Sequence, residues 1–126
     1  GSVDLSYRAK LINKATTADG AVGIITHYNH EAREFYEVLF TAAGQLLVNK
    51  YVQGTIVQQA LGTHGIAPNT WFDVELRCVD NKTSVFVNGV KKLSGILQGQ
   101  VRNGLVGVVT RRARGQFDYV SWTEIK

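Results

Sequence analysis

Between Phe35 and Trp71 the side chains follow a two-residue rhythm that only glycine and asparagine interrupt. Phe35-Tyr36-Glu37-Val38-Leu39-Phe40 leads to a turn at Ala43-Gly44, then Gln45-Leu46-Leu47-Val48-Asn49-Lys50-Tyr51 and a break at Gly54. Asn69-Thr70-Trp71 opens a further strand. Residues two apart share one face of a strand, so each segment offers an apolar side to a core. Short segments of this kind, punctuated by turn residues, predict antiparallel strands stacked as a sandwich. Such a fold exposes a broad sheet face and supplies no ready catalytic pocket.

The same reading extends along the chain and draws eight or nine strands. Asp4–Ile12 alternates Leu5, Tyr7, Ala9 and Leu11 against Ser6, Arg8 and Lys10. Ala21–Tyr28 is apolar until Thr26-His27-Tyr28, and Asn29–Glu34 is a charged connection with room for one helical turn. Thr55–Leu61 precedes a loop carrying Gly65 and Pro68, and Trp71–Val79 returns through Asp80-Asn81-Lys82 into Thr83–Val87. Asn88-Gly89 is a strong hairpin signal, and Val90–Leu93 continues from it. Gly104–Thr110, a basic turn at 111–115 and Gln116–Ile125 close the chain. No segment sustains a helical period, so the expected class is all-β.

A chain of 126 residues, 44% of them hydrophobic, can bury its own core as one domain, here residues 3–126. Gly1-Ser2 reads as a cloning remnant. The sequence has no methionine, no charged-then-apolar leader and no apolar run of the ~18–20 residues a membrane helix needs. It is therefore expected to be a piece of a longer protein, with no membrane span of its own. The single cysteine, Cys78, excludes an internal disulfide framework and suits inert packing in a strand. Basic residues concentrate late: eight against two acids from residue 81 onward, and six against eight before it. That polarity suits an anionic partner such as an acidic polysaccharide.

Taken in order, several segments resemble the concanavalin A-like jelly rolls. They are Gly23-Ile24-Ile25-Thr26-His27-Tyr28, Phe35-Tyr36-Glu37-Val38, Leu46-Leu47-Val48-Asn49-Lys50, Asn69-Thr70-Trp71, Val85-Phe86-Val87-Asn88-Gly89, Gly104-Leu105-Val106-Gly107 and Phe117-Asp118-Tyr119-Val120. Within that group the chain is most similar to laminin-G-like domains and to bacterial modules of the 3-keto-disaccharide hydrolase type. The resemblance implies a jelly-roll β-sandwich, and because such folds usually begin with further strands, either a version truncated at its N-terminus or a minimal one. A sheet edge left unpaired in this way would invite association or aggregation.

The resemblance also implies carbohydrate binding on one sheet face or its rim. Sugars stack their C–H faces on aromatic rings and pair their hydroxyls with Arg, Lys, Asn and carboxylates. The family pattern puts basic residues at His27 and Lys50, which with Glu37 would line one polar patch; the bland alternative is a solvated face with a Glu37–Lys50 cross-strand pair. Alternation itself groups Tyr36, Val38 and Phe40 as core, with Phe35, Glu37 and Leu39 opposite. Tyr28 is a stacking candidate in a loop that includes Arg33, and the cluster Arg111-Arg112-Ala113-Arg114 could grip carboxylates or sulfates, or simply solubilise a turn. Family placement expects Trp71 in the core, while Trp122 suits core or rim equally.

Other chemistry finds little in the residues. His27 and His30 lack a third ligand, and acids, Asp118 included, are too scattered for calcium. No cofactor is implied, and no catalytic set of carboxylates or Ser-His-Asp residues stands out. One basic hairpin does not mark a nucleic-acid binder. Asn81-Lys82-Thr83 fits a glycosylation sequon. The expectation is thus a non-catalytic carbohydrate-binding module of a larger secreted or cell-surface protein, holding a polysaccharide through His27, Tyr28, Arg33, Glu37, Lys50 and Arg111. A protein-interaction or adhesion domain and a domain bracing a neighbouring enzyme are the alternatives.

Overall fold

Every alternating segment forms a strand. The computed structural model describes residues 5–79, 82–96 and 105–124. They form ten strands: β1 (Leu5–Asn13), β2 (Ala21–Asn29), β3 (Glu34–Thr41), β4 (Gln45–Val52), β5 (Thr55–Thr63), β6 (Trp71–Val79), β7 (Lys82–Val87), β8 (Val90–Ile96), β9 (Leu105–Arg111) and β10 (Gly115–Glu124). The count exceeds the expected eight or nine because Val90–Ile96 is a full strand beyond its hairpin. Residues 30–33 make a plain turn with no helical character. The sequon residue Asn81 and the pair Gly1-Ser2 lie outside the described residues.

Two antiparallel five-stranded sheets stack as a sandwich, one in the order β10-β1-β6-β7-β8 and the other β5-β4-β3-β2-β9. Between them lies an apolar seam. The first sheet contributes Tyr7, Ala9, Leu11, Phe72, Val74, Leu76, Cys78, Val85 and Val87; the second contributes Val22, Ile24, Val38, Phe40, Leu46 and Val48. A fully buried Leu, Val or Phe adds about 1.5–3 kcal/mol of transfer free energy, so this seam is the main favourable term. Cys78 is part of it, with its sulfur 3.4 Å from the Thr83 hydroxyl.

The turns obey their residues. Asn88 (φ 49°) and Gly89 (φ 81°) give the hairpin that their dipeptide signals, and Gln53 (φ 51°) with Gly54 (φ 81°) turns β4 into β5 the same way. Trp71 departs from expectation: it is 42% exposed, under the Lys10 ammonium at 5.9 Å, while Phe72 takes the buried place at 2%. Strand β6 sends Phe72, Val74, Leu76 and Cys78 inward, which leaves Trp71 on the outer side by alternation. Trp122 faces Tyr7 across β1 and is 59% exposed, at the rim of the seam.

One close approach bears on the site. A Cβ added to Gly23 on β2 would lie 1.8 Å from the Val38 carbonyl oxygen on β3. No side chain fits without moving backbone. We expect Gly23→Ala to lower stability by about 3 kcal/mol, the upper range for forced overpacking. A loss of less than about 1 kcal/mol in urea unfolding would show that β2 and β3 separate easily.

Candidate functional site

The outward face of the second sheet carries the most unusual side chain in the protein. Glu37 points away from the core, yet it has no exposed surface. A buried carboxylate must have its charge and its lone pairs matched. Strand register explains how this is done. Opposed residues share a face, so Ile25, Glu37, Asn49 and Gln59 form one row across β2, β3, β4 and β5. The adjoining row holds Phe35 opposite Tyr51.

Four donors converge on Glu37. Arg111 Nε and Nη2 both donate to Oε2, at 3.0 and 2.6 Å. Asn49 Nδ2 donates to Oε1 at 3.3 Å, and the Tyr51 hydroxyl donates to the same oxygen at 3.4 Å. Gln59 Nε2 donates in turn to Asn49 Oδ1 at 2.9 Å, so the network reaches the edge strand β5. The pairing with Glu37 raises the Arg111 pKa further above its ordinary value, whereas burial and then the Glu37 charge raise that of Tyr51. Arg111 comes from β9, beside β2 and opposite Ala21. Gly23 lies midway on the diagonal from Arg111 to Glu37, and without a side chain it leaves that path open. The Arg111 side chain remains 48% exposed, and Nη1 takes no part in the pair.

An aromatic strip borders the network. Phe35 and Tyr51 stack with centroids 4.6 Å apart and planes 13° from parallel, and Tyr28 stands 6.0 Å from Phe35. Tyr28 is 37% exposed. A polar network beside flat apolar rings can bind hydroxyls and C–H faces together.

The structure divides the six sequence candidates. It joins Glu37 and Arg111 directly and brings Tyr28 to the same face. Arg33 (φ 52°) sits in the β2–β3 turn, where its carbonyl accepts from the Gln53 amide, so that turn and the β4–β5 turn meet near the strip. His27 and Lys50 do not join them. Strand β2 has a bulge after Ile25 and Thr26, with His27 at φ 56°, and the bulge inverts the alternation. His27 therefore turns inward, 8% exposed, with Nδ1 3.0 Å from Thr26 Oγ1 and Nε2 3.5 Å from the Tyr7 hydroxyl. Lys50 pairs with Tyr36 on the core side of the sheet and holds its ammonium 5.8 Å over that ring. The partner of Glu37 on β4 is Asn49, which replaces the expected Glu37–Lys50 pair. Arg112 is bound to Asp19, away from the face.

Sequence reasoning missed Asn49, Tyr51, Phe35 and Gln59 as site residues. Alternation groups Phe35 with Glu37; Asn49 and Tyr51 need the β3–β4 register, and Gln59 the β4–β5 register.

Comparison with known proteins locates the fold. No family model and no curated protein matches the sequence. Among solved structures, the carbohydrate binding module CBM66 from Bacillus subtilis superposes with a TM-score of 0.75 at 16% identity, over 97% of this chain and 75% of that one. Sheep galectin-11, solved with glycerol, gives 0.77 at 11% identity over 98% and 92%. A human galectin-16 variant gives 0.70 at 16% identity over 98% and 89%. The chain has the jelly-roll sandwich fold of these proteins.

Two outcomes follow from the geometry. Arg111→Ala strands a buried charge, so it should destabilise by about 3 kcal/mol. The Glu37→Gln, Arg111→Ala double variant should recover at least half of that in urea unfolding; no recovery would mean that the pair is not coupled. Burial lowers His27 to a pKa of about 4, below its unfolded value of ~6.5, so the unfolded state binds more protons between those values. The stability held in neutral His27 is present above pH ~6.5 and is lost as pH falls toward 4, about 3 kcal/mol over the whole window. Wild type should accordingly lose more stability than His27→Gln between pH 7 and 5, and parallel pH profiles would contradict the buried placement.

Proposed function

We propose that the outer face of the second sheet binds a carbohydrate chain without transforming it. The network of Glu37, Arg111, Asn49 and Gln59 beside the Tyr28–Phe35–Tyr51 strip carries this reading. A pyranose or furanose ring laid on Phe35 and Tyr51 would turn its hydroxyls toward Arg111 Nη1, Asn49 and Gln59. Tyr28 would extend the platform by one residue of the chain, and Arg33 would stand at its rim. His27 and Lys50 have no part in it.

The fold supports the reading, since one protein that shares it is by its own description a carbohydrate binding module. Charge supports hydroxyl recognition: Glu37 already matches Arg111, so the face has no strong surplus of its own. An acidic polysaccharide would add attraction to the basic second half of the chain, and salt would weaken that part. The Glu37 carboxylate on this face is already paired with Arg111, so we read the face as one that holds a sugar. The setting we propose is a module of a larger secreted or cell-surface protein. Strand motifs that resemble laminin-G-like domains and 3-keto-disaccharide hydrolase-type modules are compatible with the same fold, and a protein-interaction domain is the alternative reading.

Glycan-array screening followed by calorimetry on the best ligand tests the proposal. Phe35→Ala and Tyr51→Ala should each weaken binding roughly 3- to 10-fold, the loss of one ring contact. Lys50→Ala should leave affinity unchanged, because its side chain lies on the other face. Silence across neutral and acidic glycans, or a Lys50→Ala effect equal to Tyr51→Ala, would sink the assignment.

A further inference from the structure

Among the described residues the two sheets end in four edge strands, β5 and β9 in one and β8 and β10 in the other. Edge strands invite pairing with another chain unless something guards them, and charged side chains are a common guard. β8 has Lys91 and Lys92 and β10 has Asp118, whereas the one charge of β9, Arg111, reaches across β2 to Glu37 and away from its own edge. β5 has no charged residue from Thr55 to Thr63. It also exposes three large apolar side chains: Ile56 at 42%, Val57 at 51% and Leu61 at 66%.

We propose that β5 is a self-association edge, where a second copy of the chain adds its own β5 antiparallel to form one continuous sheet. The occupant follows from symmetry. A two-fold contact sets each residue against a residue of the same strand, so any charge near the axis meets its own like charge. Lys91 and Lys92 would defeat such a contact on β8; nothing on β5 does. The register follows from the bulge at Val57, between Lys50 and Tyr51 of the partner strand β4. Beyond it, Gln58 to Thr63 pair regularly with β4. A two-fold axis normal to the sheet keeps outer residues opposite outer residues only when the opposed numbers have an even sum. An axis at Leu61 meets that condition and leaves the bulge outside the contact. Leu61 then opposes Leu61, Gln59 opposes Thr63, and the small Ala60 opposes Gly62.

The contact is small, well under the ~1,000 Å² of a stable interface, so the dimer is weak and forms as concentration rises. Its geometry would nonetheless matter. Five strand spacings separate the two copies of β3, and the register sets their Glu37 rows four residues apart along the strands, so the two sites lie roughly 27 Å apart across one surface. If the carbohydrate reading holds, such a pair could engage one polysaccharide bivalently.

Sedimentation velocity from roughly 10 µM to 1 mM reads the association without any glycan, so it stands or falls apart from the carbohydrate proposal. Wild type should move from the 13.9 kDa monomer toward twice that mass. Leu61→Lys, at an exposed position, should stay monomeric with an unchanged unfolding midpoint. Val90→Lys, on the guarded edge, should associate like wild type. Leu61→Cys treated with oxidised glutathione should give a covalent dimer, since the axis holds the two thiols together. A wild-type chain that remains monomeric at 1 mM, or a Leu61→Lys variant that still dimerises, overturns the proposal. Failure of the Leu61→Cys bridge overturns the register.

Discussion

A two-sheet sandwich exists only because each strand gives alternate residues to the space between the layers. Here that space is filled by Phe40, Leu46, Ile24 and Val48 from one side and Tyr7, Leu11, Phe72 and Leu76 from the other. Because this seam supplies the favourable free energy, the outward residues of the second sheet are free to be chosen for other reasons. The sheet then tolerates an arrangement that would not stabilise a fold by itself. A fully buried carboxylate loses its hydration, and the ion pair with Arg111 and the hydrogen bonds from β4 offset the loss without exceeding it by much. Three strands, β3, β4 and β9, from two distant parts of the chain are thereby tied together at one carboxyl group.

The tie has a direction. Glu37 contributes nothing to the surface, but it fixes Arg111, Asn49 and Tyr51 in defined positions on that face. Preorganised donors lose less entropy on meeting a ligand than free ones do. A lone arginine on a sheet would sample many rotamers; one whose Nε and Nη2 are both engaged presents its remaining nitrogen from a fixed base. The same reasoning applies to Gln59, which is held by Asn49 while still exposed on the edge strand.

Alternation made the strands and most of their faces legible from sequence. The core role of Tyr36, Val38 and Phe40 and the shared face of Phe35 and Glu37 needed only counting. Counting failed at β2, where one extra residue shifts parity, so His27 and Tyr28 exchange sides. Nothing in Thr26-His27-Tyr28 announces that bulge, because it is set by how β3 and β9 pair on either side. Trp71 failed differently: family placement set it in the core against the plain pattern of Phe72, Val74, Leu76 and Cys78, which assigns the inward face. Lys50 was grouped with Glu37 against the alternation of its own strand. The Glu37–Arg111 pair was beyond sequence reading, since its members are 74 residues apart and meet only because β9 lies beside β2.

Edge chemistry and face chemistry meet on β5, which gives that strand two demands. Its inner residues, Ala60 and Gly62, must be small; a Cβ at Gly62 would stand 3.0 Å from Leu93 of the facing sheet. Its outer residues continue the polar row of Glu37 and Asn49 and then rise to Leu61. A charge on the outer side would guard the edge but would also sit beside the Asn49–Gln59 hydrogen bond and compete for it. A neutral edge keeps that network intact and leaves the strand open to pairing. The exposure of Leu61 is thus the counterpart of a binding face extended as far as the last strand.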